Sequence, residues 1–180
     1  MSELQSFGQQ LGECVGGLIG FGDPESERRN VEVLRLFYRS FNENEVEAMV
    51  ALLTDDFELN DTAAGVFTHG RAAYRQRVRT GRTAFPDATA EITGLVSQND
   101  VVISEVRNLA THTGPFRLPG SDEVFPPTGR RLDVVGCEVY EFLDGKIARS
   151  RIYYDLTTLA RQLGIAATNG RVANEPADEQ

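Results

Sequence analysis

A chain of 180 residues with 41% hydrophobic side chains can bury one core but hardly two, so a single domain is expected. Its 27 acidic against 18 basic residues give a net charge of −9, which repels phosphate backbones and anionic lipid. Nucleic-acid and membrane-surface partners are thereby excluded unless a local basic patch overrides the balance.

Cysteine and histidine usage narrows the chemistry further. Cys14 and Cys137 stand far apart, and with His69 and His112 they offer neither a metal-site nor a redox spacing. Free thiols in a reducing, cytoplasmic setting are expected, with no metal. Residues 1–25 read as an N-terminal extension. Leu11, Val15, Leu18, Ile19 and Phe21 are apolar, but Glu3, Glu13 and interspersed glycines break a signal peptide, and nothing has the length of a membrane span.

From Ser26 the helical period is clear in Val31, Leu34, Phe37, Tyr38 and Phe41, until Asn42-Glu43-Asn44 interrupts it ahead of a second helix over Glu45 to Leu53. Phe57 to Asp61 alternates as a short strand. A loop of small residues leads to His69-Gly70, and a third helix runs from Arg71 to Ala84 before Phe85-Pro86-Asp87 stops it. That helix carries the one basic run, with Arg71, Arg75, Arg77, Arg79 and Arg82 at helical spacing, read as a solvated face.

Strands follow: Thr89 to Val96, Val101 to His112, Arg131 to Phe142 and Lys146 to Tyr154, with Asn99-Asp100 and Asp144-Gly145 as turns. Thr113 to Gly129 is a long Pro- and Gly-containing loop at the rim, a candidate pocket lid. In the last strand, alternation sends Ala148, Ser150, Ile152 and Tyr154 inward, with Arg149, Arg151 and Tyr153 outward. Asp155 then caps a closing helix that Gly164 ends, and the polar residues 166–180 are expected to be disordered. Helices first and an antiparallel meander afterwards make an α+β domain over residues 26–165.

Phe85-Pro86-Asp87, the THTGPF stretch at Thr111 to Phe116, PPTGR at Pro126 to Arg130, DGKI at Asp144 to Ile147 and QLG at Gln162 to Gly164, in this order, resemble the SnoaL-like polyketide cyclases of the nuclear transport factor 2-like superfamily. The resemblance implies three N-terminal helices packed on a strongly curved, mostly antiparallel sheet that encloses a cavity. It also implies a homodimer, a hydrophobic small-molecule substrate and no cofactor. This fold hosts cyclases, isomerases and inert modules alike, so a non-catalytic small-molecule-binding or interaction module is the alternative to a cyclase or isomerase.

Inward parity then offers Leu59 and Asp61 from the first strand, Val106, Asn108, Ala110 and His112 from the long strand, and Ser150, Ile152 and Tyr154 from the last. In this group the last strand typically carries a proton-moving acid. That position is Ile152 here, so the acid–base step is either absent or has moved. Asp61 falls where ketosteroid isomerases carry their general base, and is the candidate catalytic base, a carboxylate whose charged form an apolar cavity disfavours. His112 is the second catalytic candidate, able to polarise a carbonyl or shuttle a proton, or else to hold the rim. Tyr38, Leu59, Val106, Asn108, Ile152 and Tyr154 are the candidate substrate-binding residues. Asp155, by contrast, is assigned to the cap.

Overall fold

The computed structural model describes residues 23–117, 123–168 and 171–174. Of the expected N-terminal extension, residues 1–22 lie outside that set, as does Cys14. Among the described residues no helix is long and apolar enough to cross a membrane.

Helix α1 spans Pro24–Asn42, two residues longer at its start than its apolar period suggests, because Asp23 caps it by accepting from the Glu25 and Ser26 amides at 3.2 Å and Pro24 supplies a preset first-turn φ. Its stripe of Leu34, Phe37 and Tyr38 is buried against the sheet. Helix α2, Val46–Ala51, turns the chain into β1, Leu53–Asp61. Strand β1 begins well before Phe57, where the sequence places its start. The stretch read as a loop after it contains β2, Val66–His69, which Gly65 at φ 66° folds back onto β1. Helix α3, Arg71–Ala84, is followed by β3, Thr89–Gln98, and β4, Val101–Thr111.

Within the expected rim loop the described residues form two short paired strands, β5 (Phe116–Arg117) and β6 (Val124–Phe125). Both ends of the loop are anchored. The Thr113 and Gly114 amides donate to the Ala84 carbonyl at 3.0 and 3.1 Å, and the Gly129 amide donates to the His112 carbonyl at 2.9 Å. Strands β7, Arg131–Leu143, and β8, Lys146–Tyr154, close the sheet, and α4, Leu156–Leu163, follows. Asp155 accepts from the Thr157 amide at 2.9 Å, and Gly164 ends α4 at φ 72°, the left-handed cap expected of a glycine there. Of the tail expected to be disordered, residues 169–170 and 175–180 lie outside the described residues, and β9, Ile165–Thr168, pairs with β10, Arg171–Asn174.

The six-stranded sheet has the order β2-β1-β8-β7-β4-β3, antiparallel throughout except for the parallel β1·β8 pair. Strict alternation fails at one place in β8. A bulge at Ala148, opposite the Glu141–Phe142 step, turns Ile147 into the core as well as Ser150. Two apolar clusters fill the domain. The larger joins α1 and α2 to the sheet through residues such as Leu34, Met49, Phe57 and Ile147, and the smaller gathers Phe85, Phe125, Leu132, Leu163 and Ile165 at the other end. Between them α1, α3 and the concave face of the sheet leave a cavity.

Candidate active site

The cavity has a volume of ≈ 330 Å³, and its apolar wall is built by Phe37, Phe41, Phe57, Tyr74, Phe85 and Leu132. That is enough for a small organic ligand with two or three rings. Its polar groups are few and unevenly distributed.

One row crosses the sheet. Asp61 on β1 pairs with Ile152 on β8, and Ile152 pairs with Glu138 on β7. All three side chains line the cavity, the two acids flanking the isoleucine, with their Cα atoms about 10 Å apart at two strand spacings. The acids have opposite surroundings. Asp61 is buried at 1% exposure, but the Arg77 guanidinium donates to its Oδ2 at 2.6 Å, the Ala64 amide donates to its Oδ1 at 3.2 Å, and the Tyr154 hydroxyl stands 3.5 Å from Oδ2. Asp61, expected from the sequence to be a carboxylate governed by an apolar environment, is instead the buried half of an ion pair whose Arg77 side chain is partly exposed.

Among the described residues Glu138 has no cationic partner within ion-pair distance. Its carboxylate accepts a short hydrogen bond from the Tyr140 hydroxyl, which meets the Tyr38 hydroxyl at 2.8 Å, and Tyr38 reaches Ser104 Oγ at 3.2 Å. Burial pushes the Glu138 carboxyl up from the usual glutamate range and the Asp61 charge pushes the same way, against the Tyr140 and Tyr38 hydroxyls and the more distant Arg77. Burial also raises Tyr38 and Tyr140, which stay protonated as donors. Glu138 was not among the residues chosen from sequence. Its signal was available, since Leu132, Val134, Gly136, Glu138, Tyr140 and Phe142 share one parity of β7 and only the glutamate is charged.

The basic run on α3 is a solvated face only in part. Arg71 pairs with Asp55, while Arg75 and Arg79 reach Glu47 at 2.9 and 3.0 Å. Arg77 and Arg82 line the cavity, and Arg82 donates to the Ala88 carbonyl at 2.7 Å and, by a short contact, to the Phe41 carbonyl.

Of the residues chosen from sequence, Asp61, Tyr38, Leu59, Asn108, Ile152 and Tyr154 come together on the cavity wall. Val106 does not. It is fully buried in the larger apolar cluster, because the wall at that height is formed by Gly136, its cross-strand neighbour. His112 does not line the cavity either. It lies buried against Phe85 and Phe116, its Nδ1 accepting from the Thr128 amide at 3.3 Å and meeting Thr128 Oγ1 at 3.1 Å, which ties the two ends of the rim loop. Desolvation lowers its imidazole from the ordinary value, so it holds the rim as a neutral ring. Among the described residues no group of three or more His, Cys, Asp or Glu side chains is arranged to hold a metal ion.

The family model for SnoaL-like polyketide cyclases matches residues 32–163. The chain belongs to that family. Solved structures with the SnoaL-like fold include a candidate polyketide cyclase of this type from Jannaschia sp. CCS1 (19% identity over 78% of this chain and 94% of that one, TM-score 0.69). IdmH from Streptomyces antibioticus aligns at 22% identity over 76% and 99% of the two chains, with a TM-score of 0.63. A candidate ketosteroid isomerase from Kribbella flavida DSM 17836 aligns at 17% identity over 71% and 78%, with a TM-score of 0.54. No curated protein matches the chain. As a SnoaL-like domain it departs from the expected pattern at Ile152, and the glutamate paired with that residue on the neighbouring strand supplies a carboxyl to the same part of the cavity.

Proposed function

We propose that this protein is a cofactor-independent cyclase or isomerase acting on a hydrophobic, carbonyl-bearing small molecule of polyketide type, with Asp61 as general base and Glu138 as general acid. The observation that carries the reading is the pair of carboxyls flanking Ile152 in unlike environments. A carboxylate ion-paired to a guanidinium, and a carboxyl whose burial favours its protonated form, offer the base and the acid that enolisation needs.

In this scheme Asp61 takes the proton from the carbon next to the substrate carbonyl, and the C–H electron pair forms the enolate double bond. Glu138 gives its proton, or a strong hydrogen bond, to the carbonyl oxygen as negative charge develops there. The enol carbon then attacks a second carbonyl to close a ring, with Asp61 passing its proton to the new alkoxide and the enol oxygen returning its proton to Glu138. Alternatively Asp61 delivers its proton to another carbon, the enol oxygen re-forms the carbonyl by returning its proton to Glu138, and the double bond moves. Tyr154 steadies Asp61, and Tyr140 with Tyr38 orients Glu138. Ile152 presses the substrate between the two acids without exchanging protons. Exposed Val96, Ile103, Val135 and Tyr153 on the outer face of the sheet support a homodimer formed through that face.

The test is deuterium exchange at the acidic carbon of cyclic apolar β-diketones in D₂O, followed by NMR. The wild-type protein should accelerate exchange, Asp61→Asn should lose about 10²- to 10⁴-fold of that acceleration, and Glu138→Gln should lose it most at carbonyls that are hard to enolise. Full exchange by Asp61→Asn would sink the base assignment. Tight binding with no acceleration in the wild type would favour the non-catalytic binding module.

A further inference from the structure

The cavity has a second polar pole away from the acid row. On β4, Asn108 lies four residues beyond Ser104, the cross-strand partner of Glu138, which sets it roughly 13 Å further along the cavity. Asn108 lines the wall, and among the described residues its side-chain amide has no hydrogen-bond partner. Its cross-strand partner is Ala90, two residues from Ala88, whose carbonyl binds Arg82. Arg82 is the cation at this end.

The charges of the two poles do not balance. Arg77 is neutralised by Asp61, Arg71 pairs with Asp55, and Arg75 and Arg79 share Glu47. Among the described residues Arg82 forms no ion pair. It sits over the Phe41 ring at 4.3 Å, is held by two carbonyls, and has its Nε buried with no hydrogen-bond partner. Burial lowers its guanidinium from the ordinary value, with Asp87 only partly offsetting this. A half-buried cation without a counter-ion costs free energy that a bound anion recovers. Among the described residues, Arg82 is the one cation of the cavity wall without an ion-pair partner.

We infer that Arg82 and Asn108 form an anion-binding subsite, and that the substrate is an elongated apolar carbonyl compound with a carboxylate at the end opposite its reacting carbonyl. Arg82 supplies the charge and Asn108 a neutral amide donor. The inference deepens the function proposed for this cavity and rests on that reading for the word substrate, but binding tests it without any proton transfer.

The probes are anthraquinone-2-carboxylate and its methyl ester, rigid tricyclic ketones that have no enolisable hydrogen, measured by calorimetry on the full chain. The carboxylate should bind about ten- to a hundredfold more tightly than the ester, the range of a charge-assisted hydrogen bond. Arg82→Met should erase that preference and Arg82→Lys should keep most of it. Since Arg82 also ties two backbone carbonyls, Asn108→Asp is the independent variant. It breaks no hydrogen bond among the described residues, places a negative charge beside Arg82, and should invert the preference towards the ester. Equal affinity of the wild type for both probes, including no affinity for either, overturns the subsite, as does an Asn108→Asp protein that still prefers the carboxylate. Failure of proton exchange at β-diketones with the carboxylate preference intact would instead overturn the catalytic reading alone.

Discussion

Ile152 and Glu138 are neighbours across two strands, and that pairing is the point at which residue-by-residue reading stopped short. The isoleucine is plain in the sequence, and so is the question of where its proton chemistry went. The answer needed the register of β7 against β8, which no single strand reveals. Asp61 was legible because its alternation and its segment both marked it. Of the two roles open to His112, the structure shows the rim-holding one, because parity at the end of a strand says which face a side chain takes, not how far the cavity extends along it. The Glu138 assignment has a consequence for stability. A carboxyl whose folded-state value is raised is protonated in both states below the ordinary glutamate value, about 4.3, so the fold pays nothing there. As pH rises through that value the unfolded chain loses the proton first, and stability falls until Glu138 ionises in the fold as well. Glu138→Gln removes this penalty. Its melting temperature relative to the wild type should therefore climb from pH 4 towards neutrality. A difference that stays flat or falls over that window, by calorimetry at matched ionic strength, would mean that Glu138 is not protonated in the fold.

At the scale of elements, most boundaries were readable because caps and turns are local. Asp155 and Gly164 frame α4, and the turn residues Asn99 (φ 54°), Asp144 (φ 51°) and Gly145 (φ 75°) adopt the left-handed conformation that such positions favour. Strand β2 and the Ala148 bulge were not readable, since both are set by what lies alongside. The THTG stretch shows how a motif can be seen before its physics is known. A Cβ on Gly114 would lie 2.0 Å from the Thr83 carbonyl oxygen, at the end of α3 where the Thr113 and Gly114 amides bind Ala84. The glycine is there so that two backbones can meet. Gly114→Ala should cost about 1–3 kcal/mol as backbone atoms are forced apart, lowering the melting temperature by several degrees while His112 and the rim loop lose their anchor. If the alanine variant melts with the wild type, the close approach of loop and helix is not a constraint on this fold.

At the scale of the molecule, the net charge of −9 hides how the one basic helix uses its arginines, four of them on carboxylates and Arg82 on the cavity wall. Composition could not say where those charges go. The sheet divides the remaining surface in two. Its concave face is committed to the cavity. Its outer face exposes Val96 and Ile103, which are direct cross-strand partners on β3 and β4, together with Val135 on β7 and Tyr153 on β8. Apolar side chains spread over four adjacent strands are costly to leave in water, and a second copy would cover them with the same surface. Light scattering at tens of micromolar protein should accordingly give twice the 19.8 kDa chain mass. Ile103→Glu combined with Val135→Glu should halve it, because like charges would face one another across the two-fold axis. Neither residue lines the cavity. The monomeric variant should then keep its ligand affinity, which separates loss of assembly from loss of fold. A wild-type chain that runs at 19.8 kDa, or a double variant that remains dimeric, would show that the outer face is not the interface.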